Sequence, residues 1–139
     1  MKFTVENEKQ LVEKVYKELG SKMQAGFYVG LVGDLGAGKT TLVAGILKKL
    51  GLKIPVTSPT FTLRKIYDLP DSTKVQHIDL YRHQKGFKSF EIEEWLEERQ
   101  YLTFVEWPEN LSKFSAYFDV ICEIRLLTAY TREVELKWN

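Results

Sequence analysis

Residues 27–40, FYVGLVGDLGAGKT, determine how the rest of the chain is interpreted. The opening FYVGLV is a short apolar run of β-forming side chains, typical of a strand covered on both faces. GDLGAGKT, residues 33–40, follows at once and has the glycines, lysine and threonine of a phosphate-binding loop at the required spacing. Residues 41–50 then place apolar side chains at helical spacing, and Gly51 predicts the end of that helix. A preceding strand and a following amphipathic helix are the context that this loop pattern requires.

The glycine loop predicts a site for a nucleoside triphosphate with Mg²⁺. Glycines let the backbone curl so that successive N–H groups face phosphate oxygens, and the next helix adds its positive N-terminal end. Lys39 can reach the β- and γ-phosphates, and the Thr40 hydroxyl can ligate Mg²⁺. Thr41 either touches a phosphate or is simply a first-turn helix residue. The predicted nucleotide-binding residues of the loop are Asp34, Leu35, Gly36, Ala37, Gly38, Lys39, Thr40 and Thr41.

Two acidic residues compete for a second metal contact. Residues 74–79, KVQHID, end at Asp79, and residues 102–106, LTFVE, end at Glu106. In open parallel sheets ligands bind at the carboxyl ends of strands, and Mg²⁺ takes one or two protein oxygens besides phosphate. Glu106 closes the more apolar run, and each acid can also be a solvated strand end. The predicted catalytic groups are Lys39, Asp79 and Glu106, and which acid faces Mg²⁺ and which orients water stays open.

Other residues have both a functional and a structural interpretation. Ser58-Pro59-Thr60-Phe61 lies where small nucleotidases sense the γ-phosphate through a threonine hydroxyl, or it is an ordinary proline turn. Trp107, directly after Glu106, is either an aromatic plane beside the nucleotide or a core tryptophan. His77 and His83 lack metal-ligand spacing and are interpreted as structural or surface groups.

The remaining pattern predicts one α/β domain over residues 1–139. Besides the helix after the loop, Glu8–Leu19 is a predicted helix with Asn7 and Gln10 as a capping pair, and residues 90–98 are a third predicted helix. Helices alternate with strands early and strands cluster late, which indicates a three-layer P-loop NTPase fold with a mostly parallel central sheet and C-terminal antiparallel strands. Besides the strand before the loop, strands are predicted at residues 61–67, 74–79, 102–106, 118–127 and 132–138.

Composition narrows the class of protein. The 139 residues include 20 basic and 19 acidic side chains, so the net charge of +1 does not require nucleic acid or a membrane as a direct partner. Cys122 is the one cysteine, which excludes an internal disulfide, and its apolar surroundings predict a packed, inert thiol. Neither an apolar signal core nor a window of membrane-span length is present, so we expect a cytoplasmic protein.

Four strings occur in order and with suitable gaps, and together they resemble the bacterial TsaE family, also called YjeE. They are GDLGAGKTT at residues 33–41, SPTF at 58–61, HIDLYR at 77–82 and VEWPE at 105–109. The resemblance covers about residues 25–110. It implies an ATPase of tRNA threonylcarbamoyladenosine biosynthesis that works with the proteins TsaD and TsaB. Those partners modify adenosine 37 of tRNAs that read ANN codons, so this chain would meet tRNA only indirectly.

The resemblance also implies roles by position. Lys39 and Thr40 would hold phosphate and Mg²⁺, Asp79 and Glu106 would be the functional acids, and Trp107 would lie beside the nucleotide. Residues 58–61 would be the first switch segment, with Ser58 and Thr60 as switch-like residues. The chain departs from the family at residues 90–97, FEIEEWLE, where the glycine that follows a Glu-Glu pair is missing, so no binding role is carried onto that segment.

Two rival functions share the loop. A small-molecule kinase normally needs a lid, and the chain has little room for one between Asp79 and Leu102. A non-hydrolysing module would use ATP only to lock a partner interface. Because no arginine finger is evident, we expect slow intrinsic turnover that partners stimulate. Base preference and oligomeric state are not readable from the residues.

Overall fold

The computed structural model describes residues 1–59, 63–82, 90–111 and 116–139. The α-helices within these ranges are α1 (Glu8–Leu19), α2 (Lys39–Lys49) and α3 (Phe90–Glu97). The strands are β1 (Lys2–Val5), β2 (Tyr28–Val32), β3 (Arg64–Asp68), β4 (Lys74–Asp79), β5 (Leu102–Glu106), β6 (Val120–Leu126) and β7 (Arg132–Trp138). No helix of the described part is long and apolar enough to cross a membrane.

The strands form one sheet in the order β1-β7-β6-β2-β5-β4-β3. Four central strands are parallel, because β2 pairs in parallel with both β5 and β6, and β4 pairs in parallel with β5. β3 is antiparallel to β4 at one edge, while β6, β7 and β1 form successive antiparallel pairs at the other. The predicted mostly parallel sheet with C-terminal antiparallel strands is confirmed.

Helices cover both faces of the sheet. Leu11 of α1 and Leu42 of α2 pack with Val29 in one buried cluster. Ile92 of α3 packs with Tyr28, the neighbouring residue of β2, in a second cluster. Adjacent residues of a strand face opposite sides, so the two clusters lie on opposite faces of β2. This is the three-layer arrangement that the sequence predicts.

Three strands end side by side at one edge of the sheet. Leu31 of β2 is the register partner of Glu106 on β5, and Glu106 is the register partner of Asp79 on β4. The glycine loop leaves this edge directly after β2. The sheet therefore positions the loop beside both predicted acids, as expected at the carboxyl edge of parallel strands.

Several element boundaries agree with the prediction. Glu8–Leu19, Lys74–Asp79, Leu102–Glu106 and Arg132–Trp138 have the predicted bounds. The Asn7 side chain caps α1 by accepting from the Gln10 backbone N–H at 2.8 Å.

Other boundaries differ. α2 begins at Lys39 rather than at residue 41, because the chain turns helical directly after left-handed Gly38. The predicted strand at residues 61–67 is found at Arg64–Asp68, and Phe61 lies outside the described residues. The strand predicted from residue 118 begins at Val120 and ends at Leu126.

β1 is an element that the sequence did not predict. It is four residues long, and only Val5 at its end is buried, so its local pattern is weak. It exists because it pairs with β7 from the far end of the chain, with Val5 opposite Arg132.

Candidate nucleotide-binding site

The glycine loop forms the turn between β2 and α2. Gly38 has φ of 111°, a left-handed conformation in which any residue with a Cβ is strained, and it is the cap residue of α2. At Gly33 an added Cβ would lie 2.6 Å from the Ile124 carbonyl oxygen of β6. The backbone path requires glycine at both positions. It places the loop at the N-terminal end of α2, where free N–H groups and the helix dipole attract anions.

An open groove runs along the loop. Every loop residue that was predicted to bind nucleotide lines it except Asp34 and Ala37, and Ala37 is buried behind the loop. Both predicted acids, Trp107 and Ser58 also line the groove, whereas Thr60 lies outside the described residues. The complete lining of the described groove is Glu8, Leu35, Gly36, Gly38, Lys39, Thr40, Thr41, Ser58, Asp79, Tyr81, Glu106 and Trp107.

Lys39 is a buried cation with only 4% of its surface exposed. Its ammonium group donates to the Asp34 carbonyl oxygen at 3.1 Å and to the Gly33 carbonyl oxygen, and it lies 4.4 Å from the Trp107 ring centroid. Burial lowers the pKa of the ammonium, and the negative charge of Glu106 is the largest influence in the opposite direction. A desolvated ammonium that is neutralised only in part is well suited to an anionic ligand.

Glu106 joins the loop helix to the sheet. The Thr40 hydroxyl donates to its carboxylate, at 2.8 Å from Oε2 and 3.0 Å from Oε1. His77 Nε2 lies 2.6 Å from Oε2, and the His77 side chain has no exposed surface. The contact of His77 was missed by sequence reasoning. The position of His77 could have indicated this contact. His77 is two residues before Asp79 on β4, so the two side chains lie on the same face of the sheet.

Asp79 has different partners from its register neighbour. Its Oδ2 accepts from the Ser58 hydroxyl at 2.9 Å, and its Oδ1 accepts from the Tyr81 backbone N–H at 2.9 Å. The carboxylate is 7% exposed. Asp79 therefore links the end of β4 to Ser58, one of the predicted switch-like residues. Glu106, in contrast, is linked to Thr40 of the loop helix.

Trp107 lines the groove and also packs, partly buried, against the second core cluster. Its backbone is left-handed, with φ of 60°, and its N–H donates to the Leu31 carbonyl oxygen at 3.2 Å. Such a conformation costs a non-glycine residue about 1–3 kcal/mol, so the surrounding contacts must hold it. The ring lies against Lys39 and against the Tyr81 ring, 5.1 Å between centroids. The turn at the end of β5 thus aims the indole into the groove.

Arg132 supports the loop from behind, and sequence reasoning missed it entirely. Its Nε donates to the Ala37 carbonyl oxygen at 2.7 Å, its Nη1 donates to the Tyr130 carbonyl oxygen at 2.9 Å, and its Nη2 lies 3.6 Å from Glu8. Arg132 is 4% exposed. A signal was present in β7, because Arg132 alternates in phase with the inward residues Val134 and Leu136.

The chain is similar to one family over nearly its full length. The family model described as "Threonylcarbamoyl adenosine biosynthesis protein TsaE" matches residues 5–134. The chain belongs to the TsaE family.

Individual TsaE proteins agree with this. The protein of Aquifex aeolicus named "tRNA threonylcarbamoyladenosine biosynthesis protein TsaE" is 37% identical over 125 residues, which are 88% of this chain and 86% of the relative. The Nostoc protein of the same name is 40% identical over 108 residues, 74% of this chain and 66% of the relative. The crystal structure of Bacillus subtilis YdiB has a TM-score of 0.74 and covers 99% of this chain and 84% of that one. At 24% identity, YdiB shows the fold alone.

In this TsaE-family chain the donor set fits a Mg²⁺–triphosphate. The Thr40 hydroxyl and the Glu106 carboxylate supply hard oxygen atoms next to each other, and Lys39 lies in the same groove. The described residues contain no group of three or more His, Cys, Asp and Glu side chains that could hold a metal ion. Mg²⁺ in phosphate sites commonly takes one or two carboxylate oxygens and fills its remaining positions with phosphate oxygens and water.

Proposed function

We propose that this chain binds ATP with Mg²⁺ and hydrolyses it in support of threonylcarbamoyladenosine biosynthesis in tRNA. The observation that carries the proposal is the contact of Thr40 with Glu106 at 2.8 Å, in the same groove as the buried ammonium of Lys39. It joins a helix-start hydroxyl to a strand-end carboxylate, which is how P-loop nucleotidases hold Mg²⁺ beside the β- and γ-phosphates. The names of the TsaE relatives, proteins of tRNA threonylcarbamoyladenosine biosynthesis, support the biosynthetic process.

The residues of the groove would have different roles in ATP hydrolysis. Loop N–H groups and Lys39 would stabilise charge on the transferred phosphoryl group. Bound Mg²⁺ would supply the neutralising charge between the β- and γ-phosphates. The position of Glu106 beside Thr40 favours it for the metal side. Asp79 lies next to Glu106 and is hydrogen-bonded to Ser58. This position favours Asp79 as the acid that orients the attacking water from the side of the switch segment.

We further propose that turnover depends on the partner proteins TsaD and TsaB, and that tRNA is met only through them. Lys39 is the one cationic side chain among the described residues that line the groove. Arg132, the buried arginine nearest the loop, binds the Ala37 carbonyl oxygen behind it. An additional positive charge at the γ-phosphate raises turnover of P-loop nucleotidases by about 10³–10⁵-fold, so a partner that supplies it or orders the switch segment would control the rate.

Phosphate release with and without a purified TsaB–TsaD complex tests the proposal. We expect feeble release by the chain alone and clear stimulation by the complex, with Lys39→Ala inactive in both conditions. Lys48→Ala is the matched control, because Lys48 is an exposed lysine at the other end of the same helix. Equal rates with and without the complex contradict the coupling. A phosphorylated acceptor points to a kinase, and partner binding without any phosphate release points to a non-hydrolysing module.

A further inference from the structure

A buried histidine holds one oxygen of the acid that faces the loop. His77 has no exposed side-chain surface, and its Nε2 lies 2.6 Å from Glu106 Oε2. Thr40 reaches both oxygens of the same carboxylate, at 2.8 and 3.0 Å. Glu106 therefore has a donor on the helix side and a donor on the sheet side.

With an ionised Glu106, the histidine is the donor of the short contact. An ionised carboxylate can only accept hydrogen bonds, so the ring nitrogen that faces Oε2 must carry the hydrogen atom. The other ring nitrogen, Nδ1, is buried and has no hydrogen-bond partner among the described residues. Within the described structure, the contact with Glu106 is thus the only side-chain hydrogen bond of the His77 ring.

Glu106 and the buried ammonium of Lys39 line the same groove. Glu106 exerts the largest upward influence on the pKa of Lys39, so its carboxylate and this ammonium attract each other inside the groove. Without the donor on the sheet side, the Glu106 carboxylate would keep only the Thr40 hydroxyl, and its attraction to Lys39 would then favour a turn toward the ammonium. That turn would remove an oxygen from the side of Thr40 and would compete with phosphate for the lysine.

We propose that His77 is a positioning residue that fixes the orientation of the Glu106 carboxylate, with the ring holding Oε2 from the sheet side while both oxygens stay within reach of Thr40. The inference rests on the proposed Mg²⁺–nucleotide site. Groups that orient the ligands of a metal site commonly change metal affinity by about 10–100-fold when they are replaced. His77 thus acts through Glu106 and touches neither nucleotide nor metal.

The test is the gain in nucleotide affinity that Mg²⁺ produces, measured by calorimetry with a non-hydrolysable ATP analogue in Mg²⁺ and in chelator. We expect His77→Leu to reduce this gain about tenfold, with affinity in chelator little changed. His77→Gln should restore most of the gain, because its amide N–H can replace Nε2 as a donor. Glu106→Gln should remove the gain, and adding His77→Leu to it should cause no further loss.

Gln76→Leu is the matched control. Gln76 is the preceding residue on β4, is also fully buried, and donates to Thr103 Oγ1 at 2.9 Å on the opposite face of the sheet. Its replacement should lower the melting temperature and leave the Mg²⁺ gain as in the wild type. Should His77→Leu fail to fold, His77→Asn serves instead, because its shorter amide places no donor at the position of Nε2.

The outcomes separate this inference from the proposed function. A wild-type chain without a Mg²⁺ gain in affinity contradicts the proposed site itself. A wild-type gain that His77→Leu retains, or an equal loss of affinity in Mg²⁺ and in chelator, overturns the positioning role alone. A gain lost in His77→Leu and restored in His77→Gln supports it, whether or not the chain hydrolyses ATP.

Discussion

The two sides of the phosphate-binding loop are held in different ways. On the groove side, Lys39 donates to loop carbonyl oxygens and lies on the Trp107 ring, contacts that phosphate oxygens can replace. On the rear side, Arg132 donates to the carbonyl oxygens of Ala37 and Tyr130 from a position that is almost fully buried. We therefore expect the contacts of the groove side to exchange when a phosphate binds and those of the rear side to persist. Such a loop should keep its shape while its cation changes partners.

The largest expected effect comes from replacing the cation of the groove side. Lys39→Met should weaken binding of the Mg²⁺-bound ATP analogue on the order of 100-fold, about 2.7 kcal/mol, because charge-assisted hydrogen bonds to phosphate are lost. Stability should not fall. Burial lowers the pKa of Lys39, which means that the protonated ammonium is less favourable in the folded than in the unfolded chain at neutral pH. Calorimetry and a urea titration measure the two quantities, and a large loss of stability would contradict the exchangeable character of this contact.

Replacing the rear cation should affect stability more and binding less. Arg132→Met leaves the buried hydrogen bond to the Ala37 carbonyl oxygen and the part-buried one to Tyr130 without their donor, so the free energy of unfolding should fall by about 2–4 kcal/mol. Nucleotide affinity should fall on the order of tenfold through the displaced loop. Urea titration and calorimetry measure both quantities.

Arg125→Met is the control for this change. Arg125 is an arginine of the neighbouring strand β6, and its side chain is 62% exposed in ion pairs with Glu123 and Glu133. Exposed pairs contribute little, so the change in unfolding free energy should stay within about 1 kcal/mol. If Arg132→Met is no more destabilising than Arg125→Met, the rear side is not the permanent support of the loop.

A smaller effect should be visible in tryptophan fluorescence. If phosphate draws Lys39 away from the Trp107 face, the indole loses a cation–π contact of about 0.5–2 kcal/mol and its emission changes. Trp107→Phe should abolish the change that the Mg²⁺-bound ATP analogue causes. Trp138→Phe should retain it, although Trp138 also lies beside a lysine, because its partner Lys22 is 5.5 Å from the ring and outside the groove. Loss of the signal in Trp138→Phe would contradict the assignment.

Local patterns predicted the fold where an element carries its own signal. α1 has an apolar face and a capping residue, β4 and β5 are short runs that end at an acid, and β7 alternates in polarity, so their bounds agree with the prediction. β1 has only Val5 buried, and it is a strand because β7 lies next to it. No pattern within residues 2–5 contains that information, since it depends on pairing between the two ends of the chain.

The residues of the candidate site also fall into two groups, those that a local sequence pattern predicts and those that depend on distant parts of the chain. Gly38 and Lys39 belong to a contiguous motif, and Glu106 stops a buried run, so all three could be found from neighbours in sequence. The contact of His77 with Glu106 depends on the register between β4 and β5, which neither strand specifies alone. The contact of Arg132 with the loop depends on where the β6–β7 hairpin lies in the sheet. Sequence thus predicted most residues that line the groove, though not Glu8 or Tyr81, and the structure added His77 and Arg132, which hold the loop and its acid in place.

The rate at which the Cys122 thiol is labelled measures how often the sheet opens, and the measurement needs no change at the rear side of the loop. In the wild-type chain we expect this rate to be low. Cys122 lies on β6 opposite Leu31, and burial raises the pKa of its thiol to about 12. The thiol stays protonated at pH 8 in the folded chain, so a disulfide-exchange reagent should label it only during opening of the sheet. Labelling in Lys39→Met should be as slow as in the wild type. In Arg132→Met it should accelerate by a factor of about 30–700, as expected for a loss of about 2–4 kcal/mol. Equal acceleration in both variants would mean that the two sides of the loop share one network of contacts, and the contrast between them would then be wrong.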